Sequence, residues 1–193
     1  MTADGVRTGE RGRDGARDIA VWDPLVRLVH WTLAIAILTN GLLLDTESEA
    51  HEWVGYLALT LVGLRLFWGL IGTGHARFAA FPPLPGRALG HLRGLLSGDR
   101  RVHLSHNPLG ALMVYNLWLS VIGMGVTGYM MTTVAFFGVD WVKELHEALF
   151  NWILVSVALH VAGVVFDSRR TGVNLVRAML TGRKAIPAGR EVE

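Results

Sequence analysis

The chain has 193 residues, is 51% apolar and 9% aromatic, and sets 18 Lys and Arg against 16 Asp and Glu for a formal charge of +2. That is too apolar for an ordinary soluble domain of this size, and no internal repeat or long low-complexity run divides it, so a single membrane domain is expected. The lack of cysteine excludes disulfides, thiolate zinc sites, cysteine-ligated iron–sulfur clusters and covalently attached c-type haem, so any redox centre must rest on histidine or methionine.

Residues 1–18 mix Arg, Asp and Gly with almost no apolar content and read as a disordered tail. No apolar stretch begins near Met1, so no signal peptide is expected. Four apolar segments follow, at about 25–44, 53–71, 109–131 and 145–166. Each is long enough to span a bilayer, which takes about 20 residues rising about 1.5 Å each. None shows the polar face that a helix of a soluble bundle needs. The fold class expected is an all-α membrane protein, a four-transmembrane-helix bundle over residues 19–184, with a C-terminal tail at 185–193. Asn107 before Pro108 reads as the cap of the third helix. Leu175, Val176, Met179 and Leu180 recur at helical spacing beside Arg177 and Arg183, as in a short amphipathic helix on a membrane surface; a frayed tail is the alternative.

The connections alternate in charge. Asp45, Glu47, Glu49 and Glu52 lie between the first two segments without a Lys or Arg, and Asp140, Lys143 and Glu144 lie between the last two. Between the second and third come Arg77, Arg87, Arg93, Arg100 and Arg101 against Asp99. The C-terminal part adds Arg169, Arg170, Arg177, Arg183, Lys184 and Arg190. By the positive-inside rule both termini and the middle loop are cytoplasmic. Trp22, Trp31, Trp53 and Trp141 fall near segment ends, as interfacial anchors do.

Of the eight histidines, His75, His91, His103 and His106 belong to the middle loop or its edge, and the first three read as solvated loop residues. His30, His51, His146 and His160 sit within or at the mouths of the helices, where an ionisable side chain is costly and marks function by default. Helix direction places His30 and His160 about 8–9 Å inside the cytoplasmic boundary. His51 and His146 lie at the outer one. Depth therefore pairs His30 with His160 and His51 with His146. A separation of fourteen residues brings His146 and His160 within about 40° of one helix face and about 21 Å apart along it. Neutral imidazole suits haem iron, zinc and copper alike. Two bis-histidine haems would use all four residues, whereas a metal transporter would place carboxylates near the midplane, where none lies.

Gly41, Gly55, Gly63, Gly69, Gly123, Gly125 and Gly128 interrupt the helices, either for close packing or to make room for a flat macrocycle. The spacing G-x-G-x-x-G at 123–128 follows no strand and is not read as a nucleotide site. Arg65 lies fourteen residues after His51 on an inward-running helix, level with His160. It is expected either to snorkel to the headgroups or to pair with a carboxylate of an inner haem.

The runs VWDPLVRLVHW at 21–31, HEWVGY at 51–56, SHNPLG at 105–110, LHEAL at 145–149 and ALH at 158–160 resemble the bacterial cytochrome b561 family, over about residues 19–184. The resemblance implies two haem b groups ligated from the first, second and fourth helices, with His30, His51, His146 and His160 at the matching ligand positions. It implies electron transfer between membrane quinol, with ubiquinone as the candidate cofactor, and a partner such as a periplasmic cytochrome c, a hydrogenase or another oxidoreductase. Some relatives oxidise superoxide while reducing quinone, and members that serve hydrogenases tend to be longer. The expected role is an electron-transfer subunit, in a homodimer or a larger complex, rather than a stand-alone oxidoreductase. Acidic outer loops suit a basic cytochrome better than an anionic substrate such as superoxide. His106, Asn107 and Tyr115 are candidates for a quinone site, and no feature suggests nucleic acid as a partner.

Overall fold

The structure, a computed structural model, describes residues 17–72 and 74–193. Of the tail expected at 1–18, all but Arg17 and Asp18 lies outside the described residues. Those two open a short strand, β1 (Arg17–Ala20), which pairs antiparallel with β2 (Arg183–Ile186), Arg17 opposite Ile186.

Helix α1 (Pro24–Leu42) starts where Asp23 accepts a hydrogen bond from the Val26 amide at 2.8 Å and Pro24 supplies a fixed φ. The other carboxylate oxygen of Asp23 accepts from Trp68 Nε1 at 3.0 Å, tying α1 to α2 (Glu49–Ile71). Helix α2 begins earlier than expected because Ser48 caps it through the His51 amide at 3.2 Å and Glu49 and Glu52 suit the positive end of the helix dipole. Asn107 caps α4 (Pro108–Thr132) as its sequence suggests. Helix α5 (Asp140–Thr171) outruns the expected 145–166 at both ends and stops at Gly172, whose φ of +77° makes a left-handed cap beside Arg169 and Arg170. The middle loop contains a helix not read from the sequence, α3 (Pro85–Leu96), and the C-terminal part contains α6 (Leu175–Thr181).

Helices α1, α2, α4 and α5 are each long and apolar enough to cross a membrane. Leu38, Leu64, Phe67, Leu119, Val155 and Leu159 point outward from them, an arrangement stable only against lipid. Their inner seam buries Ala36, Ala58, Val62, Trp118, Val121 and Ile153. The packing is a row: α1 lies on α2, α2 on α4, and α4 on α5, with no extensive close backbone packing of α5 on α1 or α2 among the described residues. Gly41 leaves α1 without a side chain where the Phe150 ring of α5 reaches across, and Gly125 and Gly123 of α4 likewise receive Leu59 and Leu149. Those glycines serve packing.

Both termini close one end of the bundle. The amides of Val21 and Trp22 donate to the Gly182 carbonyl at 2.8 and 3.0 Å. Lys184 is 4% exposed, donates to the His103 and Ser105 carbonyls at 2.8 and 3.1 Å, and sits 5.7 Å from the Trp22 ring centre. Burial pushes its ammonium down to about 8. Residues 185–193, read as a tail, join this cap: Ile186 is fully buried and Val192 bridges to Val102.

One polar contact ties α4 to α5 within the apolar seam. Asn116 Nδ2 donates to Ser156 Oγ at 2.8 Å, and Trp152 Nε1 donates to Asn116 Oδ1 at 2.9 Å. Losing Asn116 leaves both partners without their hydrogen bond in apolar surroundings. Asn116→Leu should destabilise the bundle by about 1–2 kcal/mol. Thermal unfolding in detergent measures this, and an unchanged midpoint would show that the clamp contributes nothing.

Candidate functional site

Helix α5 is set off from α1 and α2, and the histidines face each other across that separation. The rings of His30 on α1 and His160 on α5 have centroids 6.4 Å apart and planes at 53°. Those of His51 on α2 and His146 on α5 are 6.5 Å apart at 59°. The structure thus brings together the residues that lie at equal depth, and α5 supplies one member of each pair. His51 is not quite at its helix mouth and His146 lies well inside α5, because both helices start earlier than expected.

The spacing discriminates between chemistries. Two imidazoles hydrogen-bonded nitrogen to nitrogen would have centroids about 5 Å apart. Two imidazoles on opposite sides of one metal, each bonded at about 2.0–2.1 Å with its centroid about 1.1 Å further back, would be about 6.2–6.4 Å apart. The observed separations match the second arrangement. In addition, Nδ1 of His30 and Nδ1 of His51 are buried without a hydrogen-bond partner, a state that costs free energy unless another group satisfies it. Among the described residues no cluster of three or more His, Asp or Glu could hold a metal ion by itself. Two ligands per site fit a haem iron, which needs only axial donors from the protein. They fit poorly with zinc, which takes three or four.

Arg65 is 5% exposed and does not reach solvent. Its Nη2 donates to the Ala76 carbonyl at 3.0 Å, its Nη1 is buried without a partner, and its guanidinium carbon lies 5.2 Å from the Trp118 ring centre and 5.7 Å from that of Phe81. His106 lies between the Trp22 and Phe81 rings, 4.8 Å from each, with Nδ1 unpartnered. Burial holds its imidazole down to about 3, so it is neutral. Asn107 spends its carboxamide on the α4 cap and on Asp167, 3.4 Å away. Tyr115 packs among Phe78, Phe81 and Trp118.

His91 and His103 are not the solvated loop residues expected. Their rings meet edge to face at 5.0 Å, and burial lowers the pKa of both. With Arg87, Ser105 and His106 they line a cavity of about 500 Å³ beside Phe81. The sequence signal for this cluster was weak, since α3, which carries His91, was itself unread.

A family profile described as prokaryotic cytochrome b561 matches residues 21–182. The chain is 26% identical over 165 residues to a probable Ni/Fe-hydrogenase B-type cytochrome subunit of Azotobacter chroococcum mcd 1, covering 70% of this chain and 67% of the relative. A protein of the same description from Rhizobium leguminosarum bv. viciae is 23% identical over 215 residues, covering 87% and 89% of the two chains. No solved structure gives a significant match.

If each ring pair shares one haem, removing either partner should have the same result. His51→Ala and His146→Ala should leave one identical residual haem spectrum, and His30→Ala and His160→Ala the other. Matching spectra from His30→Ala and His146→Ala would break the pairing.

Proposed function

The chain belongs to the prokaryotic cytochrome b561 family, and we propose that it is a dihaem member that moves electrons across the cytoplasmic membrane between the quinone pool and a redox partner. It is a multi-pass membrane cytochrome that binds haem b and serves electron transfer. The observation that carries the two-haem reading is the presence of two imidazole pairs, at 6.4 and 6.5 Å, at opposite ends of one separation between helices. A haem held between such a pair of imidazoles would supply a one-electron carrier. His30 and His160 would hold the inner group, His51 and His146 the outer. Along α5 the two levels differ by about 21 Å, most of a hydrocarbon core of about 30 Å. The arginine-rich middle loop and the C-terminal segment share the end closed by β1 and β2, which supports a cytoplasmic position for that end and for both termini.

At the cytoplasmic end, His106 and the cavity it lines suit a quinone headgroup. A neutral imidazole offers both a donor and an acceptor, and buried Phe81 gives the cavity an apolar wall. At the outer end, Asp45, Glu47 and Glu49 favour a basic partner such as a cytochrome c. A second reading, membership of a larger hydrogenase-like complex, is favoured by the descriptions of the relatives.

The purified protein should carry two haem b groups per chain, all extractable by acid–acetone because no cysteine holds them. One haem per chain after reconstitution with excess haem would sink the two-site reading.

Arg65 is the candidate partner for a carboxylate of the inner haem, through its unpartnered Nη1. A buried positive charge favours the reduced form, so Arg65→Leu should lower the inner potential by some tens of millivolts, equivalent to roughly 1 kcal/mol for a one-electron couple. Arg65→Lys should recover much of the difference. Redox titration of the mutants decides it, and an unchanged inner potential at normal haem content would remove Arg65 from the site.

A further inference from the structure

Helix α4 contributes no imidazole to either pair, yet it touches one of them. Thr127, 4% exposed, places Oγ1 at 2.8 Å from His146 Nδ1, at 2.8 Å from the Gly123 carbonyl and at 3.1 Å from the Met124 carbonyl. A hydroxyl has one proton and two lone pairs, whereas a carbonyl can only accept. A buried Thr hydroxyl commonly gives its proton back to its own helix; in that arrangement a lone pair faces His146 and Nδ1 carries the hydrogen. In a neutral imidazole the other nitrogen, Nε2, is then bare. The next residue is Gly128, where an added Cβ would stand 3.4 Å from His146 Cε1. Helix α4 therefore runs along the Nδ1–Cε1 edge of the ring, close enough that a Cβ would be in ordinary contact with it.

We propose that Thr127 is a positioning residue that fixes the tautomer and the ring orientation of His146, presenting Nε2 to the outer haem; this rests on His146 being a haem ligand. The two rings of the outer pair are then held differently: Nδ1 of His146 is anchored, while Nδ1 of His51 is buried without a partner. A ligand imidazole that donates its second N–H is held in place and made more basic, and losing such a partner typically costs 10–100-fold in affinity for the bound centre. A more basic ligand favours the oxidised metal, so the anchor lowers the outer potential.

Thr127→Val removes the hydroxyl and keeps the branched shape; Thr127→Ser keeps the hydroxyl. In the haem-loaded protein, Thr127→Val should release the outer haem to a scavenging apoprotein about 10–100-fold more readily. It should also raise the outer midpoint potential and alter the low-spin ferric EPR signal of that haem, with the inner haem unchanged. Thr127→Ser should restore all three. If Thr127→Val does not accumulate, Thr127→Ala set against Thr127→Ser makes the same comparison. Wild-type outer potential and release in the valine variant would overturn the proposal, as would equal shifts at both haems, which would indicate a packing effect. Failure of the underlying ligand reading would show separately, as retention of the outer haem in His146→Ala.

Discussion

An imidazole inside a bilayer must find a partner, because neither water nor lipid tails will satisfy its nitrogens. Four such rings are set into this bundle, and the fold answers by facing them in pairs, α5 against α1 and α2. The row-like packing follows from that need. Helices α1, α2 and α4 close on one another through small residues and a shared aliphatic seam. Of the spanning helices α5 packs its backbone extensively on α4, meeting α1 through the Phe150 side chain, and so holds its two histidines at a distance from α1 and α2 that no direct hydrogen bond would set.

Holding a separation open takes rigidity at both ends. At one end the chain termini form a small capping layer in which Asp23, Trp68, Gly182 and Lys184 lock the start of α1 to α2 and to the loop before α4. Arg170 of α5 pairs with Asp167 at 2.6 Å and donates to the Asp99 carbonyl, so the last turn of α5 is fixed to the same layer. Within the membrane the Asn116, Ser156 and Trp152 clamp keeps α4 and α5 in register. His30 and His160 hang from the capped end; His146 is steadied by Thr127 instead. The two sites look alike in spacing but differ in what supports them.

Much of this was legible in the sequence because the physics involved is one-dimensional. Span length and the rise of a helix are enough to find four segments and match histidines by level. The Asn107–Pro108 cap was legible for the same reason. What escaped depends on contacts between distant residues. Helix α3 was hidden by Gly86, Gly90 and Gly94, which lower helix propensity although Ala88, Leu92 and Leu96 keep the helical spacing. The strands β1 and β2 are four residues each and mean nothing until paired. His91 and His103 read as solvated because nothing local reveals that the chain's last residues fold over them. Nothing in the sequence singles out Asn116 and Thr127, since their partners lie forty and nineteen residues away. The aromatic box around Arg65 was equally hidden, because Phe81 and Trp118 come from other parts of the chain.

The placement of both α5 histidines has a consequence for how the protein is made. Helix α5 is made after the other three described spanning helices, and neither ring pair exists without it. A chain arrested after α4 would hold only one ring of each pair, His30 and His51. On the reading proposed above, each haem would then have a complete pair of imidazoles only once α5 had joined the bundle, so capture of the redox-active group would follow assembly of the helices.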